Sequence, residues 1–304
     1  MSDIISKTAQ KRRTYWIEEL QKLSGSFGTD TTKLAEKLEK EFNRFGVAAL
    51  IDHLRLCGSI PESYSHDSSE EKLYSKYTDY LLSFAFRYLG LKSIVLKERA
   101  DAADVEVFAK EYSFVADAKS FRLSRTAKNQ KDFKIQAIDT WKRGKPFAMV
   151  CCPIYQLPSA NSQIYLQATT RNVCIFSYSH LVLILNYSSL EGTSKARNLL
   201  TKIFQTVNSL NPTKSAPGYW LGINSVILAY SKKIDALWHT EKEASALSIA
   251  LAKEEALTFL SSEREKVMRM THAEALNALI KARKFESKIK TITSISDNKL
   301  FDIK

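Results

Sequence analysis

Apolar residues recur at three- and four-residue intervals at the start of the chain. Ile17, Leu20 and Leu23 form one set and Leu34, Leu38, Phe42 and Phe45 a second, with a Gly25-Ser-Phe-Gly28 break between them. Residues 1 to 57 therefore read as helices whose charged faces meet solvent. A Ser- and Pro-containing loop from Gly58 to Ser69 ends in Asp67-Ser-Ser-Glu70-Glu71, which supplies capping residues and early acids for a helix over about Glu70 to Leu89. That helix carries Leu73, Tyr77, Leu81, Phe84 and Tyr88 on one side.

After Gly90 the period changes. Ser93 to Leu96 is a short apolar run, Asp104-Val-Glu-Val-Phe108 alternates, Lys110-Glu111 turns, and Tyr112 to Lys119 alternates again, so a β-hairpin is expected. Phe147 to Cys152 and Val173 to Ser177 are continuous apolar runs, as expected for strands covered on both faces. Helical patterns occupy about 125 to 143 and 179 to 190, and the text turns helical again from about Lys195 to Lys290, most clearly over Glu241 to Lys284. The tail from about Thr291 is expected to be poorly ordered. These elements predict an α+β fold, a mixed central sheet sandwiched by helices with helical additions at both ends. The expected regions are a helical 1–69, a central core 70–190 and a helical 191–304, gathered into one compact domain, since 304 residues suffice to bury a full core.

Composition narrows the partners. A formal net charge of +12 favours an anionic polymer. Cys57, Cys151, Cys152 and Cys174 show no paired C-x-x-C spacing and sit mostly in strand-like runs, so buried reduced thiols and a cytoplasmic setting are expected. No stretch of about 20 apolar residues occurs, which leaves no expectation of export or membrane insertion. The histidines (His53, His66, His180, His239, His272) are scattered singly, and neither a phosphate-binding G-x-x-x-x-G-K-[ST] loop nor a G-x-S-x-G elbow is present. Nucleotide-driven motors and serine hydrolases are disfavoured. The aromatic residues, at mostly core-like spacing, argue against a single-strand stacking platform.

The chemistry concentrates at Val115 to Lys134. Asp117 and Lys119, two apart at the end of a strand, point to the same side, and Asp104 lies on the hairpin strand before them. Acid-x-Lys triplets also occur at Glu70, Asp132, Glu286, Asp297 and Asp302, but only Asp117 ends an apolar strand with an acidic neighbour. A divalent metal shared by Asp104 and Asp117 would give buried carboxylates a reason to be there, with the ammonium serving a phosphate or a water. The alternative is a surface hairpin edge bearing solvated charges. Cations follow at Lys119, Arg122, Arg125, Lys128, Lys131 and Lys134, a spacing that would wind slowly around a helix and suit a nucleic-acid backbone. Asn129, Gln130 and Asp132 are interleaved with them and have the chemistry to read bases. A solvated basic helix is the plainer reading of the same residues.

Asp104 followed by Asp117-Ala-Lys119 resembles the PD-(D/E)xK nuclease pattern. The run from Val115 to Lys134 is similar along its length to the HindIII-type Type II restriction endonucleases. Glu71-Lys-Leu, Ser75-Lys76, Lys110-Glu-Tyr and Ser162-Gln-Ile-Tyr165 extend the resemblance over roughly Ser68 to Ser177, and the flanks match loosely. Ala103 stands where a proline often precedes the first acid. The resemblance implies a restriction-endonuclease-like core and a homodimer that binds palindromic double-stranded AAGCTT and cuts both strands between the two adenines with Mg2+. A cognate DNA methyltransferase would protect the host site without needing to bind this chain. Asp104 and Asp117, with the Ala118 backbone carbonyl, would hold the metal, and Lys119 would act on the attacking water or the transition-state charge. Asn129, Lys131 and Asp132 fall where the family reads the major groove; Arg122, Arg125, Lys128 and Lys134 suit phosphates. A structure-selective repair nuclease and a catalytically inactive DNA-binding protein of the same fold are the alternatives.

Overall fold

Alternation and its loss sort the strands. In β2 (Val105–Phe108) Val105 and Val107 are buried while Glu106 and Phe108 are half-buried, as a sheet covered mainly on one side requires. In β3 (Ser113–Ala118), β4 (Phe147–Cys152) and β5 (Val173–Ser177) nearly every residue is buried, so these strands are covered on both faces. With β1 (Lys92–Val95) they form one five-stranded sheet in the order β1-β2-β3-β4-β5. The first three strands are antiparallel, and β3, β4 and β5 run parallel. This is the mixed sheet expected from the sequence. The structure is a computed structural model that describes residues 4–96, 102–125 and 130–294, with the backbone only of Gln130 and Lys131.

The helices before the sheet follow the expected pattern with one addition. α1 (Lys7–Leu20) begins at Ser6, whose hydroxyl accepts from the Ala9 amide. α2 (Phe27–Leu56) is broken at Gly46, where φ is 65° and only glycine is unstrained. α3 (Ser69–Tyr88) is capped by Ser68, with Glu70 and Glu71 in its first turn where the helix dipole favours them. Leu73, Tyr77 and Leu81 are buried, and Phe86 meets Phe114 of β3 edge-on at 5.1 Å. Tyr88, expected on the apolar side, is exposed.

The basic stretch departs from expectation. In place of one helix over 125–143 there are α4 (Gln130–Phe133) and α5 (Ile135–Trp141), separated by Lys134 in the left-handed region at φ 48°. Residues 119–125 are not helical either, and 126–129 lie outside the described residues. The three-residue repeat of cations therefore does not wind around a single helix. A further helix, α6 (Gln163–Thr170), lies between β4 and β5, started by Ser162; its eight residues are too few for a periodic signal.

The remaining helices are α7 (Tyr178–Glu191), α8 (Thr193–Ser209), α9 (Ala216–Leu228), α10 (Lys233–Met268), α11 (His272–Ala282) and α12 (Phe285–Thr293). The tail from Thr291 falls partly in α12, and residues 295–304 lie outside the described residues. The chain divides into two compact units, residues 1–256 and 257–304. In the second, α11 opens with a capping box between Thr271 and Glu274, and Leu279, Ile289 and Ile292 are exposed. In the first, Arg13 ties α1 to the rest: it donates to Glu255, to the Leu56 and Ser59 carbonyls and to the Tyr74 hydroxyl. All four cysteines are buried thiols outside any disulfide. Among the described residues no helix is long and apolar enough to cross a membrane.

His180 of α7 is a buried neutral histidine. Its ring lies flat against Trp220 at 5.3 Å, Nδ1 accepts from Ser177 at 2.6 Å and Nε2 donates to Asn224 Oδ1 at 3.0 Å. Burial pushes its pKa down from 6.5 to about 4, against the pull of Asn224. The unfolded chain thus takes up a proton below pH 6.5 that the folded protein refuses, so the associated stability is whole above 6.5 and lost progressively down to about 4. The loss amounts to ~3 kcal/mol. Burial pushes His53 the same way, and the raised Asp117 carboxyl described below acts in the opposite direction. Thermal midpoints measured between about pH 7 and pH 4 should fall more steeply for the parent protein than for His180→Gln. Parallel curves would show that His180 does not set the slope.

Candidate active site

The hairpin register builds the site. Val105 pairs with Ala116, so Asp104, one residue before β2, comes level with Asp117 near the end of β3. Backbone bonds hold both in place: the Asp104 carbonyl accepts from Leu96 N at 2.8 Å, and Lys119 N donates to the Cys151 carbonyl at 2.7 Å. Tyr178 of α7 donates to the Lys119 carbonyl at 2.9 Å. Lys119 folds back as an ion pair onto Asp117 Oδ2, as their spacing on one side of a strand requires. The structure thus brings Asp104, Asp117, Lys119 and the buried Ala118 together.

Two residues that the sequence reading passed over complete the cluster. Asp79, on α3, is buried, and its carboxylate lies with those of Asp104 and Asp117 so that one oxygen from each falls within 4.8 Å of the others. Lys76, one turn earlier, places Nζ 3.1 Å from Asp104 Oδ1 and 3.3 Å from Asp79 Oδ2. A signal existed: Lys76, Asp79 and Ser83 form a polar row beside the apolar stripe of Leu73, Tyr77 and Leu81. All three are buried.

Crowding and burial separate the carboxyls. Burial pushes Asp117 up to about 6, with Asp104 adding to the rise and Lys119 opposing it. Asp104 moves the other way: burial raises it, but the adjoining Asp117 carboxyl and the ammoniums of Lys76 and Lys119 together hold it below the usual range. For Asp79 burial dominates, reinforced by Asp104, and its carboxyl is pushed far up. Burial weakens the Lys119 ammonium, but Asp117 more than compensates, so it stays protonated. The Asp117 side chain is 1% exposed, and although Lys119 stands beside it, neither of its oxygens has a well-formed hydrogen bond. Buried, unsatisfied carboxylate oxygens next to two further carboxylates suit a hard divalent cation, which takes oxygen ligands at about 2.0–2.6 Å. Asp104, 37% exposed at its side chain, is the member open to solvent.

Among the described residues, Arg122, Arg125 and Lys134 are engaged within the protein. Arg122 donates from Nε to Glu71 at 3.2 Å, and its carbonyl accepts from Gln156 at 2.9 Å. Arg125 is ion-paired with Asp132 and lies over the Phe121 ring at 5.6 Å. Lys134 stands 6.0 Å from the centre of the Trp141 ring. Lys128 and Asn129 lie outside the described residues, as does the side chain of Lys131. Glu71 also stands 3.4 Å from His66, and Glu106 is ion-paired with Lys145 at 3.2 Å.

Comparison with known proteins agrees with this geometry. The sequence model of the HindIII restriction endonuclease matches residues 13–296, a span that contains every residue of the cluster. The Type II restriction enzyme HindIII of Haemophilus influenzae is 36% identical over 256 residues, 81% of this chain and 83% of that enzyme. The chain belongs to the HindIII restriction endonuclease family.

Proposed function

We propose that the protein hydrolyses both strands of double-stranded DNA at a palindromic AAGCTT site, between the two adenines, as a Mg2+-dependent homodimer. The observation that carries this reading is the Asp117 carboxylate, buried and unsatisfied beside Asp104 and paired with Lys119 at the end of β3. Asp104, Asp117 and the Ala118 carbonyl would hold the cation. When bound, Mg2+ would supply Lewis acidity toward a phosphate oxygen and make a coordinated water more acidic than bulk water. Lys119, kept protonated by Asp117, stabilises negative charge as it develops on the phosphoryl oxygens and orients the attacking water. The Tyr178 hydroxyl fixes the backbone from which Lys119 projects.

Recognition rests on the segment after Lys119. Asn129 is assigned to adenine, with Lys131 and Asp132 beside it in the major groove, and Arg122, Arg125, Lys128 and Lys134 to phosphates. The family membership and the net charge of +12 support this division.

Digestion of defined plasmids in Mg2+ should give discrete fragments whose run-off sequences end within AAGCTT; a smear, or no cutting, would reject the proposal. Asp117→Asn and Lys119→Ala should each cut slower by orders of magnitude yet still bind the cognate duplex, and Ca2+, which accepts oxygen ligands in looser geometry than Mg2+, should support binding by the parent without turnover. Near-normal cutting by Lys119→Ala would remove that residue from the chemistry.

A symmetric cut at a palindrome is matched by a two-fold axis in the protein. Light scattering should therefore give twice the 34.5 kDa chain mass on cognate duplex, after subtraction of the DNA. A monomer under those conditions would contradict the dimer.

A further inference from the structure

We propose that Lys76 and Asp79 of α3 form a buried positioning pair that fixes the Asp104 carboxylate for cation binding, an inference that rests on the metal-dependent reading above. Asp117 is enclosed by the sheet and by Lys119, whereas Asp104 precedes its strand and is more than one-third exposed. What holds the Asp104 side chain is the Lys76 ammonium, 3.1 Å from Oδ1. By holding Oδ1, Lys76 fixes how the Asp104 carboxylate is turned toward Asp117 and Asp79.

Lys76 is held in turn. A lysine is long and flexible, and a surface ion pair would not fix it. Here the side chain is only 11% exposed and its ammonium sits between two carboxylates, with Asp79 Oδ2 at 3.3 Å. The i,i+3 spacing places Asp79 one turn along on the same helix face. Burial of Asp79 without this partner would be expensive. Charge points the same way: the carboxyl groups of Asp79, Asp104 and Asp117 face the ammoniums of Lys76 and Lys119, which offset the negative charge that Asp104 and Asp117 bring to the site. Without Lys76 the carboxylates would be driven apart or protonated.

The test is calorimetric titration of the full chain with CaCl2 at neutral pH, alongside the Mg2+ dependence of cleavage. Groups that orient metal ligands typically contribute about 10- to 100-fold in affinity. Lys76→Met should raise the Ca2+ dissociation constant and the half-saturating Mg2+ concentration by about that factor, and Lys76→Arg, which retains a cation of similar reach, should recover most of the loss. Because Lys76→Met alone strands Asp79, the double variant Lys76→Met/Asp79→Asn, which removes both members of the pair together, is measured with it and should show the same weakening. Ca2+ affinity in the folded Lys76→Met or double variant equal to or above the parent's would overturn the pair, since Lys76 would then merely repel the cation. Loss of binding in Asp79→Asn with normal binding in Lys76→Met would overturn it too and make Asp79 a ligand. A parent that binds no Ca2+, indistinguishable from Asp117→Asn, would remove the metal reading and this proposal together. A parent that binds it where Asp117→Asn does not keeps the two questions separate.

Discussion

Three carboxylates held within 4.8 Å of one another, two of them buried, set the terms for the rest of this structure. Left alone, such a group would be strongly repelled from the interior and would protonate or move to solvent. Lys119 from the end of β3 and Lys76 from α3 compensate it from two sides. The arrangement works only if β2, β3 and α3 keep their relative placement. Phe86 against Phe114 provides it for the helix, and the antiparallel register provides it for the strands. The apolar core is thus the scaffold that makes an unfavourable charge arrangement persist.

The uneven protonation of the cluster follows from the same geometry. Asp117 and Asp104 are chemically alike, but one is sealed by the sheet and the other is partly solvated and held by Lys76. Their proton affinities diverge accordingly, Asp117 upward and Asp104 downward. Two like carboxyls pushed apart by their surroundings mark sites where charge is meant to be exchanged, and that marking is independent of any family resemblance.

Much of this was legible in the sequence. The hairpin from Asp104 to Lys119 was legible because strand alternation is strictly local: a period of two places Asp117 and Lys119 together without reference to the rest of the chain. The continuous runs at Phe147–Cys152 and Val173–Ser177 announced strands covered on both faces for the same reason. Asp79 and Lys76 left only a faint signal, a polar row beside the apolar stripe of α3, because an acid and a lysine three apart on a helix are also the ordinary signature of a solvated face. Only the packing of α3 against the sheet buries them. The basic stretch misled in the opposite direction. Its cations suggested one helix, but Lys134 takes a left-handed conformation, and residues after Lys119 are tied to the 57–60 loop by bonds such as Phe121 N to the Gly58 carbonyl and Ile60 N to the Phe121 carbonyl. Those partners lie some 60 residues away in the chain, beyond any local pattern.

That tethering bears on how the segment can hold DNA. A solvated cation releases counterions when it meets a phosphate, and nonspecific affinity rises with each such contact. Arg122 and Arg125 already face Glu71 and Asp132, so a phosphate at either must share or displace a carboxylate. Each such contact gains less than a solvated arginine would, and the carboxylate set free must find solvent or another donor.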